Sequence, residues 1–584
     1  MTTPEWTLFL LLVILSLSSV SWSAKNTYEE DIGVQCRFTR YPSLCVETLT
    51  ESGSRNQADF MSVLVNKTIH ECKLPVSTFE RLGVHFVSQE AQHARKAMDY
   101  CHELIEMSVK RLNQALNALK KSPRKHKQDI QTWLSAVLTF QQTCKDEAEA
   151  HAPSNMFMAE ISKKMDHLSQ LGSNPLALVN RITGNPKTKT ISGRRLMEER
   201  IFPSWISVSD RKLLQSTEIN ANAVVAKDGT GNYKTISEAI QAATGSRFVI
   251  HVKSGVYSEK INTYKDGITL IGDGKYSTII SGGSSVGGGS SSLKGSATFT
   301  ITGDGFIARD IGFQNTAGPS AGQAVALRIA SDHSVLYRCS LAGYQDTLYA
   351  HSLRQFYREC DIYGTVDFIF GNAVAVFQSC NLILRQPRSG GAYDVILANG
   401  RSDPGQNTGF SVQNCRISRG SDFSGGKSAY LGRPWKEYSR AVVMQSTIDA
   451  VIASRGWVEW PGAGGSTYNT LYFAEFENIG PGAGTSGRIT WPGFHVIGRP
   501  EAIKFTVANF IGGTSWLPST GVTFANDLTA SIDISVLQER LTNMINLDYE
   551  KYSPSITIDD SVTCGSANVE DGCPTCLQIV VQIV

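Results

Sequence analysis

The chain has 584 residues, which is too long for one ordinary compact domain and favours three or four. Its 55 basic and 53 acidic residues leave a formal charge of +2. A nucleic-acid-binding protein normally carries a strong excess of basic residues, so nucleic acid is not an expected partner.

The N-terminus predicts a signal peptide over residues 1–23. Residues 6–20 form an apolar run, and Ser21 and Ser23 follow it where a signal peptidase would cut. Glu5, and the lack of Lys and Arg before the run, leave an uncleaved membrane anchor as the alternative, although the run is shorter than the roughly 18 residues that usually span a bilayer. We expect export to an oxidising compartment, where disulfides among the twelve cysteines are the default. The sequon Asn66-Lys67-Thr68 is a candidate glycan site.

Residues 28–182 have the pattern of an all-α four-helix bundle. Between Ala94 and Leu119, apolar or small residues recur at steps of three and four, which gives one apolar stripe. Asp129 to Cys144 supplies a second helix, and residues 57–70 and 154–171 supply two more. Helices with one apolar face need partners, so a bundle follows.

The apolar periodicity lapses in residues 183–215, which we interpret as a linker. It holds two basic tetrads, Arg194-Arg195-Leu196-Met197 and Arg211-Lys212-Leu213-Leu214. Exposed linkers are where proteases cut, so a processing protease is an expected partner. A solvated basic linker is the alternative.

From about Ala223 the sequence changes to short, evenly spaced strands, and one pattern recurs. Cys339, Cys360 and Cys380 follow one another after 21 and then 20 residues, a period that fits the coils of a parallel β-helix. Asp346 and Asp367 each lie seven residues beyond their cysteine, so they should be stacked about 4.8 Å apart on adjacent coils.

Two carboxyl groups this close predict that one keeps its proton while the other is charged, which suits acid/base or nucleophilic chemistry. The alternative is that Asp346 and Asp367 are ordinary turn aspartates. The same stacking predicts a disulfide between Cys339 and Cys360, with Cys380 and Cys415 as a second candidate pair.

Seven motifs resemble those of plant pectin methylesterases, in the order in which that family shows them. They are GVYSEK (255–260), GDGFIARDIGFQNTAG (303–318), GQAVALR (322–328), GYQDTLY (343–349), GTVDFIFGN (364–372), GRSDPGQNTG (400–409) and LGRPWKEYSR (431–440). The resemblance covers residues 224–524 and implies an all-β catalytic domain, over about 216–527, with a right-handed parallel β-helix. It also implies hydrolysis of the C6 methyl ester of galacturonate in pectin (homogalacturonan), without a cofactor or metal.

The resemblance assigns a role to each matching residue. Asp367 would be the nucleophile that attacks the ester carbonyl, and Asp346 the acid for departing methanol and then the base for water. Gln323 and Gln345 would donate hydrogen bonds to the oxyanion. Arg433 would keep Asp367 ionised. Trp435 would offer its ring to a sugar, and Thr298 matches a threonine of the family that contacts substrate.

Residues 28–182 resemble the pectin methylesterase inhibitor family, most specifically in QTWLSAVLTFQQTC. The resemblance implies that paired cysteines join Cys36 to Cys45 and Cys101 to Cys144, and it leaves Cys72 unpaired. The two basic tetrads resemble the processing sites of plant pectin methylesterase precursors. We therefore expect a secreted cell-wall precursor that is a monomer after processing, with separate inhibitor proteins as further partners. We also hypothesise that the bundle masks the groove until the linker is cut.

Three rival interpretations stay open at this stage. A polygalacturonase or pectate lyase of the same architecture would need a different acidic set or a calcium site. An inhibitor-type binding protein would lack the Asp346, Asp367 and Arg433 set, whereas a catalytically silent pectin-binding solenoid could retain it. Residues 528–584 match nothing in the family, and we interpret them as a disordered extension or a small disulfide-linked appendage.

Overall fold

The computed structural model describes residues 31–53, 59–72, 89–151, 156–183, 219–290, 292–388, 393–424 and 428–529. The signal peptide, both basic tetrads and nearly all of the 528–584 extension lie outside the described residues, so these assignments stay predictions. In the described ranges no helix is long and apolar enough to cross a membrane.

The N-terminal part is helical, as predicted. Residues 31–36 form a helix, and the helices after it are α1 (Pro42–Ser52), α2 (Phe60–Cys72), α3 (Gln89–Lys121), α4 (Lys127–His151) and α5 (Met156–Asn180). Helices α2 to α5 pack as a four-helix bundle around one apolar core. The core holds the predicted stripe of α3, including Met98, Leu104 and Leu112, because each face with this spacing needs an apolar partner.

Two disulfides fasten this part of the chain. Cys36 is bonded to Cys45, and Cys101 of α3 is bonded to Cys144 of α4. Cys72 is a buried free thiol. Both pairings, and the unpaired state of Cys72, are as the family resemblance implies.

The rest of the described chain winds into a parallel β-helix, which confirms the predicted fold class. Its strands are β1 (Ala223–Val225), β2 (Phe248–Val252), β3 (Gly255–Ser258), β4 (Ile261–Thr263), β5 (Ile268–Gly272), β6 (Thr278–Gly282), β7 (Phe299–Ile301), β8 (Ile307–Arg309), β9 (Gly312–Asn315), β10 (Leu327–Ile329), β11 (Ser334–Tyr337), β12 (Ser340–Ala342), β13 (Leu348–Ala350), β14 (Arg354–Arg358), β15 (Asp361–Gly364), β16 (Ile369–Gly371), β17 (Val374–Gln378), β18 (Asn381–Leu384), β19 (Asp394–Asn399), β20 (Gly409–Gln413), β21 (Arg416–Arg419), β22 (Ala429–Pro434), β23 (Arg440–Met444), β24 (Thr447–Ile448), β25 (Tyr472–Phe476) and β26 (Phe494–Val496).

These strands form three parallel sheets that run along the solenoid. Sheet A contains β1, β2, β5, β8, β11, β14, β17, β20, β23, β25 and β26; sheet B contains β3, β6, β9, β12, β15, β18, β21 and β24; sheet C contains β4, β7, β10, β13, β16, β19 and β22. Inward-facing side chains of the three sheets fill one continuous apolar core.

Short helices accompany the solenoid. They are α6 (Ile236–Ala242), α7 (Leu293–Ser296), α8 (Thr467–Thr470), α9 (Arg499–Ala502) and α10 (Val507–Phe510), with 3-10 turns at Ile503–Phe505, Gly513–Ser515 and Leu517–Thr520. The elements from α9 onward, over residues 499–520, pack on the outside of sheet A through a second apolar cluster.

The cysteine repeat corresponds to the corner between sheet A and sheet B. Each cysteine follows one residue in the left-handed region, and these residues are Arg338, Glu359, Ser379 and Asn414 with φ between 52° and 55°. This one-residue turn sends the next side chain into the core on every coil, so the four sulfurs stack.

The disulfide predicted between Cys339 and Cys360 is wrong, because both are free thiols. Their side chains enter the core side by side, and each thiol donates to a main-chain carbonyl. Cys339 Sγ lies 3.5 Å from the oxygen of Tyr337, and Cys360 Sγ lies 3.5 Å from that of Leu336. Cys380 and Cys415, the second candidate pair, are also free.

The bundle packs against the corner between sheet C and sheet A. Ala330 and Leu353 of the β-helix belong to the bundle's own apolar core. Around this contact, α4 forms hydrogen bonds with residues that follow the strands of sheet C. The side-chain pairs are Trp133 with Asp332, Thr139 with Asn372, Thr143 with His351, and Asp129 with Arg354. The side chain of Gln406 also donates to the main-chain carbonyl of Ser135. The contact therefore combines an apolar centre with polar and charged pairs.

Candidate active site

Two carboxyl groups occupy equivalent turns between sheet B and sheet C. Asp346 lies in the turn from β12 to β13, and Asp367 lies in the turn from β15 to β16. The backbone N–H of Asp346 donates to the carbonyl of Val366 at 3.1 Å, which holds the two turns together. Both aspartates have left-handed φ values, 63° and 51°, and both side chains are almost fully buried. Left-handed backbone is uncommon for residues other than glycine and often marks a functional turn.

Only one of these carboxylates has a cation bound to it. Arg433 of β22 contacts Asp367 at two points, with Nε 2.8 Å from Oδ1 and Nη2 2.5 Å from Oδ2. Asp346 instead forms a side-chain hydrogen bond with Gln323. A forked guanidinium contact stabilises the ionised carboxylate more than an amide does, so the two aspartates are in different electrostatic environments.

This difference affects the pKa of each carboxyl group. Burial, and then the neighbouring charge of Asp367, raise the pKa of Asp346 well above its ordinary value. Burial also raises the pKa of Asp367, but the ion pair with Arg433 opposes that rise. The contact with Arg433 therefore favours the ionised form of Asp367, and burial beside that charge favours the protonated form of Asp346.

Aromatic rings line the outer face of sheet C beside the carboxylates. Tyr349 stacks on Phe370 with centroids 4.4 Å apart, and Trp435 lies 6.0 Å from Phe370. Trp460 lies 6.4 Å from Trp435 and also 4.3 Å from the guanidinium of Arg433. Rings arranged along a groove suit a sugar polymer, whose faces carry apolar C–H groups.

Gly400 makes room for one of these rings. A Cβ at this position would lie 2.7 Å from Cε3 of Trp435. The glycine that opens GRSDPGQNTG therefore allows the tryptophan of LGRPW to lie flat against the backbone.

The structure brings most of the predicted site residues together. Gln323, Asp346, Asp367 and Arg433 are joined by the contacts above, Trp435 lies on the same face, and half-buried Gln345 belongs to the Asp346 turn. Thr298 differs, because it is 2% exposed and its hydroxyl donates to the carbonyl of Gln314 at 3.0 Å. Its contact with substrate stays a prediction that this geometry does not favour.

Helix α4 of the bundle lies against the same face of sheet C. Thr139, Gln142, Thr143 and Asp146 line a narrow gap against Tyr349, His351 and Trp435. Lys436, next to Trp435, pairs with Asp146 at 2.6 Å. The groove beside the two carboxylates is thus partly covered by the helical domain. In the described part of the chain, no group of three or more His, Cys, Asp or Glu side chains could hold a metal ion.

The comparisons with known proteins divide the chain into the same two parts, the helix bundle and the β-helix. A family model for pectinesterase matches residues 222–514, and a model for the plant invertase/pectin methylesterase inhibitor matches residues 31–178. "Probable pectinesterase/pectinesterase inhibitor 54" of Arabidopsis thaliana is 48% identical over 521 residues, which are 86% of this chain and 95% of that protein.

The chain belongs to the pectinesterase family. "Pectinesterase 2" of Citrus sinensis is 43% identical over 530 residues, covering 89% of this chain and 99% of that one. Among solved structures, the pectin methylesterase from carrot is 50% identical with a TM-score of 0.51, and it covers 54% of this chain and 100% of its own. The carrot chain thus has the extent of the esterase β-helix alone, whereas this pectinesterase also carries the inhibitor-type bundle.

Sequence reasoning missed several residues of the site. Tyr349 and Phe370 lie inside motifs that were recognised, and strand alternation from the buried Leu348 and Ile369 would have placed them on the outer face. Trp460 lies outside the recognised motifs, so only the fold brings it onto Arg433.

Proposed function

We propose that this pectinesterase hydrolyses the C6 methyl ester of galacturonate units in homogalacturonan, which releases methanol and leaves a free carboxylate on the polymer. The observation that carries the proposal is the stacked pair Asp346 and Asp367, of which only Asp367 is bound to a cation. An ionised carboxylate next to a protonated one provides a nucleophile and an acid in the same site.

In the first half of the proposed reaction, an oxygen of Asp367 attacks the ester carbonyl. The C–O bond to the methoxy group breaks, and Asp346 gives its proton to the departing methanol. A covalent acyl-enzyme remains on Asp367, and Asp346 is now an anion. Gln323 and Gln345, which border Asp346, are the candidate donors to the oxyanion that forms in this step.

In the second half, Asp346 removes a proton from water, and the hydroxide attacks the acyl carbon. The bond to Asp367 breaks, which releases the galacturonic acid group and restores both aspartates to their starting states; the released acid then loses its proton to solvent. The forked contact with Arg433 supports Asp367 as both the nucleophile and the leaving group, because it favours the ionised form.

The bundle supports a second part of the proposal, namely that the chain is a precursor whose groove is covered. We expect export to the plant cell wall and a cut at Arg194–Met197 or Arg211–Leu214 that allows the bundle to leave. Since the contacts of α4 lie beside Trp435, the uncut chain should bind pectin weakly.

Methanol release from highly methylated pectin tests both parts. The full chain, with a specific protease site placed within residues 184–218, would be assayed before and after the cut while polymer length is followed. The proposal predicts slow release before the cut, faster release after it, and no shortening of the polymer. Shortening would indicate a depolymerase, no methanol from either sample would favour a silent binding solenoid, and equal rates before and after the cut would disprove masking.

A further inference from the structure

One arginine at the edge of sheet B lies in line with the turns that carry the two carboxyl groups. Arg385 directly follows β18, and β12, β15 and β18 are neighbouring strands of sheet B. The Asp346 turn follows β12, and the Asp367 turn follows β15. Arg385 therefore begins the equivalent turn one coil beyond Asp367 and two coils beyond Asp346.

The side chain of Arg385 extends back across both coils. Its Nη1 donates to the main-chain carbonyl of Gly343 at 3.1 Å, and its Nη2 donates to the hydroxyl of Tyr344 at 2.8 Å. The guanidinium also lies 3.9 Å from the centre of the Tyr344 ring. The main-chain N–H of Arg385 donates to the carbonyl of Gly364, at the start of the Asp367 turn, at 2.9 Å. One residue thus contacts the beginning of both turns.

The loop over residues 420–424 holds Arg385 in this position from the other side. Asp422 Oδ2 accepts from Arg385 Nε at 3.0 Å. The next residue, Gln386, accepts through Oε1 from the main-chain N–H and the hydroxyl of Ser424, at 2.7 and 2.5 Å. Since Nε, Nη1 and Nη2 all have acceptors, the guanidinium is fixed before a substrate arrives.

The Asp346 turn depends on support from its surroundings. The left-handed φ of Asp346, 63°, is uncommon for a residue with a side chain, and such a conformation persists where neighbouring contacts fix it. The same turn holds the loop of the other oxyanion candidate, because the N–H of Ala324, next to Gln323, donates to the carbonyl of Gln345 at 3.1 Å. A shift of this turn would therefore displace the acid and both candidate oxyanion donors.

We propose, on the basis of the function proposed above, that Arg385 is a positioning residue that fixes the turn of Gln345 and Asp346. Asp422 in turn fixes Arg385. These contacts lie on the sheet B side of the turn, whereas the rings that suit the polymer lie on sheet C. Loss of Arg385 should therefore slow the chemical steps more than it weakens the binding of pectin, because a small displacement of a catalytic group reduces turnover strongly.

The kinetic test compares Arg385→Gln with the parent in the full chain after the linker has been cut. We expect kcat for methanol release from methylated pectin to fall about tenfold, with KM changed by less than about twofold. Arg385→Lys should recover only part of the loss, since an ammonium cannot make all of these contacts at once. Arg419→Gln removes an exposed arginine of the same sheet, which pairs with Asp449 at 3.4 Å, and should change neither value. A rise in KM at unchanged kcat, or parent-like turnover in Arg385→Gln, would overturn the proposal.

A second variant tests the support from the loop. Asp422→Ala should reduce kcat by a smaller factor than Arg385→Gln, because Arg385 keeps its contacts with Gly343 and Tyr344. In a chain that already carries Arg385→Gln, the same change should have no further effect, since Asp422 acts through Arg385. Two independent effects that multiply in the double variant would contradict this order of support.

Amide hydrogen exchange tests the positioning role without relying on catalysis. In the cut chain without substrate, Arg385→Gln should speed exchange at the N–H groups of Asp346 and Thr365, each of which donates from one turn to the other, and Arg419→Gln should not. Asp422→Ala, at an exposed position, covers the case in which Arg385→Gln does not fold. A parent that releases no methanol would disprove the proposed esterase and leave this measurement valid, whereas unchanged exchange in the folded variants would overturn the positioning role.

Discussion

Arg111 of the bundle and Asp304 of the β-helix form a two-point ion pair across the boundary between the two parts. Nη1 and Nη2 of Arg111 each lie 2.7 Å from one oxygen of Asp304, and the arginine side chain is 1% exposed. This pair holds the two parts together at a buried position, because a forked, desolvated contact loses much when one partner is removed.

Arg111→Gln should therefore loosen the bundle. We expect docking to weaken by about 2 kcal/mol or more, since Asp304 would lose its buried cation and keep the exposed Lys110, at 3.3 Å, and a hydrogen bond from the backbone N–H of Asp332. The measurement is methanol release by the uncut chain, which should increase. Lys164→Gln, which removes an ion pair with Glu71 inside the bundle, is the matched control and should leave the rate unchanged.

Glu147 should make docking depend on pH. Burial, and then the charge of Asp146, raise the pKa of Glu147 to about 7, and Arg328 of the β-helix opposes that rise. Docking favours the protonated form of Glu147. The contribution of Glu147 to the free energy of docking is therefore complete below the ordinary glutamate pKa of about 4.3, and it is lost as pH rises through about 7.

The affinity of the cut bundle for the β-helix, followed with a fluorescent label, should therefore fall between about pH 5 and pH 8, by up to about a hundredfold. Glu147→Gln should remove most of this change, because the side chain can no longer titrate. An equally steep pH dependence in that variant would show that another group at the contact titrates.

Arg433→Lys should reduce turnover by roughly 10- to 100-fold, because an ammonium cannot make the forked contact with Asp367. Arg433 favours the ionised carboxylate, so its replacement should raise the pKa of Asp367 and move the acidic limb of kcat/KM to higher pH. The pH–rate profile of the cut chain checks this prediction. Arg455→Lys, at an exposed pair with Glu459, should leave the profile in place.

The ion pair between Glu475 and Arg488 is buried away from the site, and breaking it should strongly reduce the stability of the chain. Glu475 is almost fully buried, and it accepts from Arg488 Nε at 2.7 Å and from Trp457 Nε1 at 3.1 Å. Arg488→Met would leave this carboxylate buried without its cation, which should cost about 3–5 kcal/mol in the free energy of unfolding.

Denaturant unfolding of the Arg488→Met chain measures that loss. A double variant that also carries Glu475→Gln should recover part of the stability, since no charge is then left unpaired. If the double variant recovers no stability, the loss in Arg488→Met comes from lost packing and not from an uncompensated charge.

Much of the fold could be predicted because the local pattern and the tertiary structure have the same period. The spacing of Cys339, Cys360 and Cys380 follows the coil length, so it places Asp346 and Asp367 in equivalent turns of adjacent coils. The same spacing led to a wrong disulfide, because position in a coil does not say whether two neighbouring thiols turn toward each other.

The contacts between the two parts of the chain could not be predicted from sequence. Glu103 and Lys294 are 191 residues apart, and Arg111 and Asp304 are 193 residues apart. No periodicity connects such pairs. They depend on how the bundle docks, which a pattern within either part does not determine.

The measurement that tests the central claim most directly uses a galacturonate ester with nitrophenol as its leaving group, because nitrophenol departs without help from an acid. Asp346→Asn should release a rapid burst of one nitrophenol per chain and then stop, since the acyl-enzyme on Asp367 has no base to activate water. Asp367→Asn should release none. Sustained release by Asp367→Asn, with no burst from Asp346→Asn, would contradict the assignment of Asp367 as nucleophile and Asp346 as acid and base.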